Sequence, residues 1–89
     1  MAYQAKNLSV LAYANGFTLW HYTTTEAAAT VDSSGYFNNA SDMLRVGDII
    51  IANLETGGTA KAGLFLVASN ASGVVDITDM TQIGATDTD

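Results

Sequence analysis

Asn15-Gly16, set between the apolar runs Leu8 to Ala14 and Phe17 to Tyr22, constrains this chain more than any other feature. A type I′ turn needs positive φ at both central residues, and Asn-Gly supplies it, so the spacing predicts a tight β-hairpin. The loop then pairs Ala14 with Phe17, and the register sets Ala12 opposite Leu19, Leu11 opposite Trp20 and Val10 opposite His21. Because strand side chains alternate, one face carries Leu8, Val10, Ala12, Ala14, Phe17, Leu19 and His21. The other carries Ser9, Leu11, Tyr13, Thr18, Trp20 and Tyr22. Neither face is polar enough for open water. Either the hairpin is covered on both sides within a barrel or sandwich, or it presents an aromatic strip to another subunit.

The rest of the chain repeats the pattern of short β-branched and aromatic runs broken by turn residues, here Ser34-Gly35, Gly47-Asp48, Gly57-Gly58 and Asn70 to Gly73. That punctuation predicts an all-β fold, a small barrel or sandwich of about 5 to 7 strands built from hairpins. Strands are expected over Asp48 to Leu54, Lys61 to Ser69 and Val74 to Thr78. Ile49, Ile50 and Ile51 in succession imply burial on both sides, which a chain this short achieves only by barrel closure or with a partner. Phe37, Ala40 and Leu44 recur at helical spacing, Asn38 or Asn39 can cap, and Gly47 suits the position after a helix end, so one short helix is expected near residues 39–45. Residues 23–34 are polar and alanine-rich, and their pattern leaves an extended edge and a helical turn equally open. The chain reads as one domain over residues 1–89, with 80–89 a weakly held acidic tail.

At 89 residues without a cysteine, the chain has a small core and no disulfide to reinforce it. Only 13% of residues are charged, against about 25% in an average soluble domain. Interface cores are depleted in charge, so this composition points to a surface partly covered by neighbours. The net charge of −6 rests on nine acidic residues against Lys6, Arg45 and Lys61. No basic patch is available to neutralise phosphates, which argues against nucleic acid as a partner. No run approaches the length of a membrane span, and the run from Leu8 to Ala14 lacks the flanks and length of a signal peptide.

Chemistry-bearing residues are few. His21 is the only histidine, so a nucleophile triad would need it as base, yet no spacing supports one, and its predicted neighbours Val10, Phe17 and Leu19 suit a structural role. Asp76 with Asp79, and Asp87 with Asp89, do not follow a calcium-loop pattern and read as solvated strand-end and tail charges. Gly57-Gly58 lacks the spacing of a phosphate loop. No catalytic residue, metal ligand or cofactor site is therefore assigned, and the chain is not expected to be an enzyme. Tyr13, Trp20 and Tyr22 share a predicted face and admit three uses: core packing, a protein interface or a platform for sugar rings. With Tyr36 and Phe37 they form the set of candidate interface residues.

Leu8 to Tyr22, together with Gly35-Tyr36-Phe37-Asn38 and Leu44 to Ile50, resembles small bacteriophage and prophage proteins of the virion accessory type. The resemblance extends over about residues 7–78 and carries no catalytic motif. It implies a structural protein that self-associates, as a trimer, and binds a phage capsid as decoration, cement or fibre anchor. The implied partner is a major capsid protein or another virion protein, and the implied location is the virion after synthesis in the bacterial cytoplasm. The alternative is a carbohydrate- or receptor-binding module built on the aromatic platform.

Overall fold

The hairpin forms around Asn15-Gly16: β1 (Leu8–Ala14) pairs antiparallel with β2 (Phe17–Thr23), with Ala14 opposite Phe17. The computed structural model describes residues 3–84. Two details of the hairpin depart from expectation. Gly16 has φ 82° while Asn15 keeps a negative φ, the sign pattern of a type II turn rather than type I′. A turn of that hand splays strands whose twist it does not match. The ladder then slips by one residue between Val10 and Ala12, so Val10 faces Trp20 and Ser9 faces His21. The predicted pairs of Leu11 with Trp20 and of Val10 with His21 are thereby replaced. A bulge of this kind adds local twist and exchanges the faces of the residues before it.

β2 runs parallel to β3 (Ile49–Leu54), so residues 24–48 must cross from one end of the sheet to the other. This crossover contains α1 (Ala28–Val31) and a 3-10 turn at Asn38–Ala40. The helix expected near residues 39–45 does not form. Asn38 does not cap it: its Oδ1 accepts the Val75 N–H at 2.9 Å. Asn70 Nδ2 donates to the carbonyls of Ser41 and Leu44 at 2.7 and 2.6 Å. Distant side chains thus take the backbone groups that a helix would need. Phe37, Ala40 and Leu44 nevertheless turn inward together and are fully buried.

β4 (Lys61–Ala71) has two halves. Its first half lies between β3 and β6 (Thr81–Ile83), antiparallel to both, and its second half pairs with β5 (Val74–Ile77). The β4–β5 loop is Ser72-Gly73, with φ of 55° and 79°. The two left-handed residues expected at Asn15-Gly16 occur here. β6 corrects the reading of a weak tail: residues 81–83 are paired, while 85–89 lie outside the described residues. β6 fits against β4 because Gly63 has no Cβ, which would lie 2.3 Å from Met80 Cγ and 2.8 Å from the Thr81 carbonyl.

The result is all-β, with six strands in one sheet of order β1-β2-β3-β4-β5 and β6 beside β4. The sheet does not close into a barrel, and no second sheet stacks on it to make a sandwich. The crossover covers a single face. The buried set alternates accordingly: Trp20 and Tyr22 from β2, Ile50, Ala52 and Leu54 from β3, and Phe65 and Val67 from β4 meet Val31, Phe37, Ala40 and Leu44. Tyr3, Tyr22, Tyr36 and Phe37 form an aromatic cluster, with Tyr22 and Phe37 edge to face at 5.1 Å.

Candidate interaction surface

The crossover layer leaves the other face of the sheet open. Residues in register across a sheet share a face, and the pairings place Ala12, Leu19, Ile49 and Leu66 in one row. The next row is Ser9, His21, Ile51, Leu64 and Thr81, and a third is Thr23, Asn53, Ala62 and Ile83. None of these side chains is an acid, a lysine or an arginine. Leu66 and Ile83 remain 43% and 52% exposed. Leu19, Ile49, Ile51 and Leu64 are half-buried. A groove of about 250 Å³ runs along this face between Ile49, Leu64, Leu66, Thr78 and Thr81.

The three isoleucines show what this arrangement means. Ile50 is fully buried beneath the crossover, whereas Ile49 and Ile51 point to the open side. Of the two ways to bury all three, barrel closure is absent from the fold. Ile49 and Ile51 therefore stay half-buried.

The aromatic residues singled out from the sequence are not on this surface. Trp20 is 6% exposed, Tyr22 and Phe37 are within 1% of fully buried, and Tyr36 packs against the same core. The strip expected for an interface or a sugar platform is core, because the crossover packs on the side of the sheet to which the β2 aromatics point. Only Tyr13 of that set is open, at 70% exposure, and its hydroxyl lies 3.5 Å from Arg45 Nη2, the donor.

Two polar clusters are built into the core. Asp48, 1% exposed, accepts hydrogen bonds from the Thr18 N–H at 3.1 Å, Trp20 Nε1–H at 3.0 Å and the Arg45 N–H at 3.1 Å. Nothing in the sequence marks this carboxylate as buried, since Gly47-Asp48 reads as a turn leading into the strand from Asp48. Tyr36 donates to Glu26 and bonds to the Tyr22 hydroxyl at 2.9 Å. Burial above all, and then these bonds, push the Tyr36 phenol far above its ordinary range, so it stays protonated at any physiological pH.

His21 Nε2–H donates to Asn53 Oδ1 at 2.7 Å on the open face, so its partner is an amide rather than a carboxylate. Asp32 lies beside Asp79 and Asp76. Burial first, then the charge and hydrogen bond of Asp79 and the charge of Asp76, raise its carboxyl above the usual range. Among the described residues, no three His, Asp or Glu side chains are grouped to hold a metal ion. No helix among them is long and apolar enough to cross a membrane. Comparison of the chain with known protein families, curated proteins and solved structures finds no match.

Proposed function

We propose that this protein is a structural component that works by protein–protein contact, associating with copies of itself through the open face of its sheet. The observation that carries the reading is that face: apolar, uncharged and uncovered, on a chain of net charge −6. Copies of so acidic a chain repel one another, and an uncharged face lets them meet with the least repulsion. Four strands about 4.8 Å apart and five to six residues long, with the three-residue β6 beside them, give a footprint of roughly 350 to 450 Å². Counted over both partners that is roughly 700 to 900 Å², the size of a weak or transient contact between copies rather than of an obligate interface. The resemblance of residues 7–78 to phage accessory proteins supplies the setting: a trimer, made in the bacterial cytoplasm and carried on a virion, where it binds the capsid protein as decoration, cement or fibre anchor. The buried positions of Trp20 and Tyr22 remove the support for a sugar platform.

Light scattering on the purified chain tests self-association. The wild type is expected to have the mass of an oligomer at micromolar concentration. Leu66→Asp, which places a charge at an exposed position of the face beside the groove, is expected to be monomeric with an unchanged β circular dichroism spectrum. A wild type that stays monomeric would defeat the reading. Electron micrographs of particles assembled with and without the protein test the capsid role.

A further inference from the structure

The sheet has three terminal strands, and they are protected unequally. At β5 the outer edge is occupied: the Gly35 N–H donates to the Val75 carbonyl at 2.9 Å, and Asn38 Oδ1 takes the Val75 N–H. β6 is only three residues long. β1 is seven residues long, and among the described residues no backbone hydrogen bond reaches residues 9–14 from the outer side. Edge strands are commonly guarded by charge, proline, short length or a covering loop. β1 has none of these; the one guard it carries is the bulge near Leu11, which twists the edge locally and leaves the residues on either side of it unpaired outward. Val10, Leu11 and Tyr13 along it are 55%, 53% and 70% exposed.

The charges around this edge are also segregated. The first acidic residue in the chain is Glu26, so the whole β1–β2 hairpin is free of carboxylates. Two of the three cations flank β1: Lys6 precedes its first residue by two positions, and Arg45 sits against Tyr13 near its other end. A second copy of β1 laid antiparallel on this edge would bring like charges toward each other. An acidic-ended strand would meet opposite charge at both ends.

We infer that β1 is a strand-addition edge whose occupant is an extended segment of another protein, uncharged along its middle and carrying carboxylates at its ends. Main-chain hydrogen bonds hold the segment, and Lys6 and Arg45 select its flanks. The edge offers main-chain groups, whereas β1 lends the rows of the open face only the side chains of Ser9 and Ala12, so the inference stands or falls independently of self-association.

The test is a titration of the isotope-labelled full chain, followed by amide NMR, with a strand-length peptide of alternating Thr and Val flanked by Asp. The same core flanked by Lys is the control. Amide shifts and exchange protection are expected at residues 9–14. The Asp-flanked peptide should bind about tenfold tighter than the Lys-flanked one at low salt, with the gap narrowing as salt screens the flanks. Lys6→Glu combined with Arg45→Glu, both at exposed positions, should reverse the preference. No binding at millimolar peptide, equal binding of both peptides, or shifts centred on β6 or the open face would overturn the inference. So would β1 shifts that appear on concentrating the protein alone, which would make a second copy the occupant.

Discussion

The two faces of the sheet come from the same strands, with apolar residues on each, yet they differ in what covers them. On one side Trp20, Ile50 and Phe65 lie in register beneath the crossover, and all are nearly or fully buried. One residue along, Leu19, Ile49 and Leu66 form a matching row that the crossover does not cover, with Leu66 43% exposed. Substitution on the covered face should therefore cost folding free energy whatever the protein concentration, while substitution on the open face should act through association.

Trp20→Ala is the strongest way to break the covered face. It opens a cavity and removes a donor from Asp48, and a loss of about 3 to 5 kcal/mol is expected. Urea melts at several dilutions check it, and the loss should not vary with concentration. If the loss does vary, the assignment of Trp20 to the core of a single chain is wrong.

Asp48→Ala should follow, at about 2 to 3 kcal/mol, because the N–H groups of Thr18, Trp20 and Arg45 lose their acceptor. Asp48→Asn, which keeps one acceptor oxygen, should recover part of that stability in the same melts. Equal losses for the two variants would mean that the carboxylate acts by its charge rather than by its geometry.

Gly63→Ala sharpens the comparison at the sheet margin. The added methyl must displace Met80 or the β6 backbone, at a cost of about 1 to 3 kcal/mol. Hydrogen exchange should show the amides of residues 81–83 losing protection before those of β2 and β3. Uniform loss across the sheet would contradict a local effect.

The smallest effect is electrostatic and lies away from both faces. The folded state holds the Asp32 carboxyl above its unfolded value, so ionisation opposes folding. That penalty is present in full above the raised folded value and fades as pH falls toward the ordinary 3.8. Asp32→Asn should therefore raise stability near pH 7 by up to about 0.5 kcal/mol. The gain should vanish in thermal melts taken below the unfolded value, and a gain that persists there would need a cause other than charge.

Much of the local architecture was legible in the sequence. Asn15-Gly16 marked the first hairpin, the β-branched runs marked β3, β4 and β5, and the spacing of Phe37, Ala40 and Leu44 identified a buried side of the crossover even though no helix of that length forms. The interaction surface was less legible. Its one signal was the run Ile49 to Ile51, which demands cover on two sides. The aromatic residues stand out because aromatics are frequent at interfaces, but whether their side of the sheet is covered depends on where the crossover packs, which local pattern does not encode.

The sequence by itself determined that the chain is β-rich, low in charge, and broken at its turn residues, because backbone preference and alternation act over a few neighbouring positions. Only the tertiary structure decided that β2 and β3 run parallel, that Asp48 is buried beneath Trp20, that one face lies open and that β1 is an edge guarded only by its bulge. Those features depend on which distant segments meet, and Asn38 with Val75 and Asn70 with Leu44 show how contacts far apart in sequence override a local helical pattern.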